Sequence, residues 1–141
     1  MAKLAAQETG VAPTIGVVAT SIDGTKAALL AAKHEAQERG ARVLLLVPRV
    51  PPAPPAERFV DTSNWLVARY EKMARDVEQP VQVRVCAGPN AAKAAALVSP
   101  ANGTLFVGGH AHWLWPSAEE RLAATLRRAG RDVVFVECEK G

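Results

Sequence analysis

Residues 106–120 read FVGGHAHWLWPSAEE and combine the end of an apolar strand, two glycines and the start of a helix. Ser117 and Glu120 have the spacing of a capping box, in which each residue bonds a backbone N–H of the other. Strand, glycine turn and helix N-terminus in this order are where an α/β protein usually binds an anion, because unpaired N–H groups point outward there. The stretch therefore predicts an α/β fold with a ligand crevice at this turn.

Five short apolar runs alternate with longer amphipathic segments along the chain. The runs span residues 14–19, 42–47, 81–87, 104–107 and 132–137. The second, fourth and fifth runs are almost continuously apolar, which is typical of strands that are covered on both faces of a parallel sheet. The runs are therefore predicted to be strands, with helices between them.

The segments between the runs have the 3.6-residue periodicity of helices. Helices are predicted over 25–39, 90–98 and 117–130. A further helix is predicted for the segment whose apolar stripe begins at Trp65 and which ends near Glu78. Gly40 suits the position after the first helix, and Asn90 suits the N-cap of the third. The whole chain, residues 1–141, is predicted to form one domain.

The β-α-β-α-β-α-β-α-β order predicts a Rossmann-like, doubly wound five-stranded parallel sheet in three α/β/α layers. If the strand order is 3-2-1-4-5, the switch point lies between the first and fourth strands. The loops after them, 20–25 and 108–116, then form the crevice. This places Asp23 opposite the loop that contains the histidines and tryptophans.

The composition is that of an ordinary globular protein, with 49% hydrophobic and 22% charged residues. A formal net charge of +3 is too small to predict nucleic-acid binding without a concentrated basic patch. The two cysteines have no metal-type spacing, and no run reaches the ~18 apolar residues of a membrane span. With no signal-peptide pattern at the start, the expectation is a reduced, cytoplasmic protein that binds neither membrane nor nucleic acid.

Several of these segments resemble those of the universal stress protein family, and the resemblance covers nearly the whole chain. Residues 22–25, IDGT, are similar to the family's Asp-Gly-Ser at the end of its first strand. Residues 104–113 resemble its fourth strand and glycine turn, and residues 117–137 its last helix and strand. The resemblance implies a homodimer formed through the last strand, at Val133, Val134, Phe135 and Val136.

The family's ATP-binding members carry Gly-two-Gly-nine-Gly-Ser/Thr before the last helix. Gly108 matches the first glycine and Ser117 the terminal hydroxyl residue. Ala111 and Pro116 stand at the other two glycines, and four residues replace the nine. Alanine hinders close backbone approach, and proline has no N–H to donate to a phosphate. The shortened loop therefore predicts that the family's triphosphate site is lost.

The candidate ligand-binding residues of the crevice are Asp23, Gly108, Gly109, His110, Trp113 and Ser117. In nucleotide-binding relatives the residue matching Asp23 lies near the adenosine. From the sequence alone, Asp23 is more simply a turn residue or a helix cap. Ser117 is explained by the capping box, although a single small anion could bind there too.

The loop side chains allow further alternatives. His110 and His112, with Asp23, form a two-His, one-carboxylate set for a metal, but two alternating histidines are a weak signal and no metal site is predicted. Trp113 and Trp115 either stack on a ring ligand, pack across a subunit interface or fill the crevice. The last two alternatives are favoured.

No nucleophile with a neighbouring base is identified, so the chain is predicted not to be an enzyme. The resemblance implies a non-catalytic binding protein in stress response or regulation, with a small-molecule or protein partner and no cofactor. The alternative is a member that binds ATP or AMP, with slow ATP hydrolysis. A metal-dependent hydrolase that uses Asp23, His110 and His112 carries the least weight.

Overall fold

The computed structural model of the protein describes residues 13–49, 63–98, 103–110 and 116–138. Strands and helices alternate through this part of the chain. They are β1 (Thr14–Val18), α1 (Ile22–Arg39), β2 (Arg42–Arg49), α2 (Ser63–Asp76), β3 (Val81–Ala87), α3 (Ala91–Val98), β4 (Thr104–Gly109), α4 (Ala118–Arg128) and β5 (Asp132–Glu137). All neighbouring strands pair in parallel, in the order β3-β2-β1-β4-β5. This confirms the predicted sheet and its order.

Helices cover both faces of the sheet and give the predicted three layers. Leu29 of α1 and Tyr70 of α2 pack in the apolar cluster on one face. Ala94 of α3 and Leu126 of α4 pack in the cluster on the other. In the described part of the chain, no helix has both the length and the apolar character needed to cross a membrane.

Burial along the strands follows their position in the sheet. β2 and β4 are buried on both faces over most of their length, as their apolar runs predict, and so is β1. β5 is an edge strand, as the predicted order 3-2-1-4-5 implies, and it is less covered than its apolar run suggests: Val133 is buried, but Val134 is 40% exposed. An apolar sequence therefore did not guarantee a covered strand.

Two predicted boundaries near the crevice were wrong. Ser21 is the N-cap of α1 and accepts a hydrogen bond from the Gly24 N–H at 3.0 Å. Asp23 is therefore neither a turn residue nor the cap, but lies in the first turn of α1. At the other loop, Gly108 and Gly109 are not in a turn, because both pair with β5 as the last residues of β4.

Candidate functional site

The crevice lies at the carboxyl ends of β1 and β4, which are neighbours at the point where the strand order reverses. The segment after β1 is hydrogen-bonded directly to the end of β4: the Thr20 hydroxyl donates to the Gly108 carbonyl oxygen at 2.7 Å. The first turn of α1 is therefore fixed against the strand whose end should bind the ligand.

Thr20 is held by two further hydrogen bonds. Its N–H donates to the Thr25 hydroxyl oxygen at 2.9 Å, and its carbonyl oxygen accepts from the Tyr70 hydroxyl at 2.8 Å. Thr25 is fully buried. Burial raises the pKa of the Tyr70 phenol above its ordinary value of 10.0, so the hydroxyl stays protonated and donates. These hydrogen bonds join the segment after β1 to α1, α2 and β4 in one polar network, which the sequence alone did not reveal.

Gly108, the first glycine of the family's phosphate motif, serves packing in this structure. A side chain on Gly108 would collide with the Gly24 carbonyl group. A Cβ on Gly24 would likewise lie 2.7 Å from the Gly108 carbonyl carbon, so the two backbones touch. The space that a Gly108 side chain would need is therefore filled by the backbone of α1.

Gly109 is covered from α4. A Cβ added to Gly109 would lie 2.5 Å from the Cβ of Glu119 and 2.6 Å from its Cγ. The Gly109 carbonyl oxygen accepts a hydrogen bond from the Cys138 N–H at 2.9 Å. The missing side chain of Gly109 thus makes room for a glutamate that is itself an anion.

The N-terminus of α4 has the predicted capping box. The Ser117 hydroxyl oxygen accepts from the Glu120 N–H at 3.1 Å, and the Ser117 N–H donates to Oε1 of Glu120 at 2.9 Å. Ser117 is 9% exposed. A helix N-terminus attracts anions through such N–H groups, and here a carboxylate of the same helix already binds one of them.

His110 lies against Cys138, a residue that the sequence analysis did not place in the crevice. The Cys138 Sγ is 3.6 Å from Nδ1 and 3.7 Å from Nε2 of the imidazole. The β4–β5 register explains the contact, because Gly109 pairs with Glu137 and the next residue of each strand is brought alongside. This register was the signal in the predicted sheet that could have identified Cys138.

The electrostatic surroundings of Cys138 are negative. Burial raises the pKa of its thiol above the ordinary value of 9.0, and the charges of Asp23, Glu119 and Glu137 raise it further. Reactive cysteines lie in electropositive surroundings that favour the thiolate. Cys138 therefore stays a neutral thiol in contact with an imidazole ring.

Solved structures of universal stress proteins have the same architecture. One in complex with cAMP matches 91% of this chain and 98% of its own, with a TM-score of 0.63 and 17% identity. The chain has the universal stress protein fold. A universal stress protein from Archaeoglobus fulgidus matches 93% of this chain and 98% of its own, at a TM-score of 0.65 and 13% identity.

A family protein from Arabidopsis thaliana with AMP bound matches 91% of this chain and 93% of its own, at a TM-score of 0.58 and 14% identity. No protein-family model and no curated protein matches the sequence. At these identities, the comparison with universal stress proteins establishes the fold of this chain.

The structure brings together most of the predicted crevice residues. Gly108, Gly109, His110 and Ser117 line the ends of β4 and α4, and the exposed Asp23 is close enough to act on the charge of Cys138. Trp113, with His112 and Trp115, lies outside the described residues. Within the described residues, no three His, Cys, Asp or Glu side chains are arranged to hold a metal ion.

Proposed function

We propose that this chain is a universal-stress-protein-like regulatory protein that acts by binding, and that its crevice does not hold a nucleoside triphosphate. The observation that carries the proposal is the hydrogen bond at 2.9 Å between the Ser117 N–H and the Glu120 carboxylate. A phosphate oxygen that binds the Ser117 N–H would first have to displace the Glu120 carboxylate from it.

The charges around the crevice support the same conclusion. Glu119 and Glu120 both lie in the first turn of α4, and Glu119 covers Gly109. Asp23 lies in the first turn of α1. Each carboxylate raises the electrostatic cost of bringing in the several negative charges of a triphosphate, because like charges at close range repel.

The surroundings of Cys138 support binding rather than catalysis. The contact with His110 resembles a nucleophile–base pair in its composition. Such a pair needs a thiolate, but burial and the neighbouring carboxylates raise the pKa of this thiol. The absence of catalysis is therefore part of the proposal.

A second candidate function is binding of an adenine nucleotide in the same crevice, with slow ATP hydrolysis. The observation in its favour is that proteins of this fold have been solved with cAMP and with AMP. A nucleoside monophosphate carries one phosphate and needs fewer backbone donors than a triphosphate. It is therefore the nucleotide that this crevice would accept most readily.

Isothermal titration of the full-length protein with ATP and magnesium, and separately with AMP, tests both candidates. We expect no detectable heat with ATP from a protein that circular dichroism shows to be folded. Micromolar ATP binding that is lost in Asp23→Ala would overturn the leading proposal. Binding of AMP alone, lost in the same variant, would replace it with the second candidate.

We also propose that β5 forms the interface of a homodimer. β5 is an edge strand of the sheet that the described residues form, and its Val134 side chain is 40% exposed, while Phe135 and Val136 are partly exposed. Sedimentation should show a dimer at micromolar concentration, and Val134→Arg should convert it to a monomer. A wild-type monomer at that concentration would contradict the proposal.

The cytoplasm is the proposed location. Its support is the cysteine usage: the chain has two cysteines, and both are unpaired thiols, as a reducing compartment favours. Alkylation under denaturing conditions immediately after cell lysis would test this, since two alkylated cysteines are expected and a mixed disulfide would contradict it.

A further inference from the structure

A cleft of about 630 Å³ lies between α1 and α2, on one face of the sheet. Its lining from α1 consists of Ile22, Lys26 and Leu30. From α2 and the residue after it come Arg69, Lys72, Met73, Asp76 and Val77. The lining residues recur at spacings of three and four, so each helix contributes one continuous stripe to the cleft.

The cleft has an apolar floor that is open to solvent. Leu30 is 52% exposed, and Ile22 and Met73 are partly exposed beside it. A single exposed leucine is common on protein surfaces, but here three large apolar side chains share one concave surface. Contact of this apolar surface with water is unfavourable, so a partner that covers it would gain free energy from its burial.

The charges at the cleft are unbalanced. Lys26 and Lys72 contribute two exposed cations to the lining, and Asp76 contributes one exposed carboxylate. A partner that is both apolar and acidic would therefore match this surface in shape and in charge.

We propose that this cleft is a docking site for an amphipathic helix of a partner protein, with an apolar stripe flanked by acidic residues. α1 and α2 both start at the carboxyl edge of the sheet and run in the same direction, so their stripes form two parallel walls. The stripe from Ile22 to Leu30 is about 12 Å long at a rise of 1.5 Å per residue. This length receives about two turns of a helix, with anchors at i, i+4 and i+7.

The site is distinct from the crevice and goes beyond the proposed function. Whether the crevice binds a nucleotide does not affect the contacts at Leu30, Lys26 or Lys72. A partner helix at this cleft would give a regulatory binding protein the surface through which it acts on another protein.

The experiment uses the full-length protein and a fluorescein-labelled 14-residue peptide of alanine, leucine and glutamate. Its leucines stand at i, i+4, i+7 and i+11, and glutamates flank them. Fluorescence anisotropy should show saturable binding that weakens as salt is added. We expect Lys26→Glu with Lys72→Glu to weaken binding about tenfold or more, because both changes replace attraction with repulsion.

Leu30→Ser tests the apolar contact and should weaken binding about fivefold without unfolding an already exposed position. Lys93→Glu is the matched control, since Lys93 is an exposed lysine on α3, which packs on the other face of the sheet. We expect the affinity of Lys93→Glu for the peptide to stay within about twofold of the wild-type affinity. Circular dichroism of each variant verifies that it is folded.

Three results would overturn the proposal. The first is no binding of the peptide, or equal binding of a peptide with the same composition in scrambled order. The second is a loss of affinity in Lys93→Glu as large as in the double variant, which would mean unspecific charge attraction. The third is a change of oligomeric state in Leu30→Ser, because a second copy of the chain would then cover the cleft.

Discussion

Gly24 in α1 and Gly108 in β4 lie back to back, and each occupies the space that a side chain on the other would need. The Thr20 hydroxyl donates a hydrogen bond to the Gly108 carbonyl oxygen at 2.7 Å, beside this contact. Both glycines belong to the segments that resemble a nucleotide site, yet in this chain they allow a helix to approach a strand. Their structural role therefore exists without any ligand.

Gly108→Ala should destabilise the protein by about 3 kcal/mol or more, because the new methyl group has no space beside the Gly24 carbonyl. Chemical denaturation measures the change in the free energy of unfolding. Gly40→Ala is the control: Gly40 has a φ of 62° with open space around it, so the cost there should be about 1 kcal/mol. Equal effects at the two sites would mean that the backbones of α1 and β4 are not in contact.

Tyr70→Phe should lower the free energy of unfolding by about 1–2 kcal/mol, since it leaves the Thr20 carbonyl oxygen without its side-chain donor. Tyr70 is the one tyrosine in the sequence, so ultraviolet absorbance follows its ionisation directly. The pKa of its phenol is raised by burial, so the midpoint of tyrosinate formation should lie above pH 10.0.

The same shift makes a prediction for stability. A pKa raised by folding stabilises the native state while the phenol is protonated, and this contribution should disappear as the pH rises through the folded-state pKa. Tyr70→Phe should lack this loss. A titration midpoint at or below pH 10.0 would contradict the buried hydrogen bond.

The sheet was predictable because its signals are local. Apolar runs, the capping box at Ser117 and the left-handed glycine at Gly40 each act within a few residues, and together they specify the order of elements. Right-handed crossovers then leave few ways to arrange five parallel strands. The order 3-2-1-4-5, which the sequence analysis assumed, is one of those arrangements and is the one observed.

The details of the crevice were less predictable because they depend on contacts between distant segments. Ser21 replaced Asp23 as the helix cap, although both residue types are good caps and stand two positions apart. Cys138 met His110 only through the register of β4 with β5. The packing of Gly24 on Gly108 depends on how closely α1 approaches the sheet, which a motif does not encode.

Ser117→Ala should destabilise the protein by about 1 kcal/mol, because it removes the acceptor for the Glu120 N–H at the start of α4. Glu120→Ala removes the other half of the capping box. Chemical denaturation measures the loss of unfolding free energy in each variant. The loss in the double variant should be smaller than the sum of the losses in the two single variants. Thr125→Ala, at an exposed position of the same helix, should stay within about 0.5 kcal/mol of wild type. Additive effects would show that the two bonds are independent.

Cys138 should react slowly with iodoacetamide at neutral pH and much faster above pH 9.0, since burial and the charges of Asp23, Glu119 and Glu137 raise the pKa of its thiol. Burial also raises the pKa of Cys86, so the rate is measured by mass spectrometry in a Cys86→Ala background.

In that background His110→Ala should change the rate by less than about threefold, because a neutral thiol gains little from the imidazole. Rapid alkylation at pH 7 that His110→Ala abolishes would instead reveal a thiolate–imidazolium pair, and the proposal of a binding protein without catalysis would then be wrong.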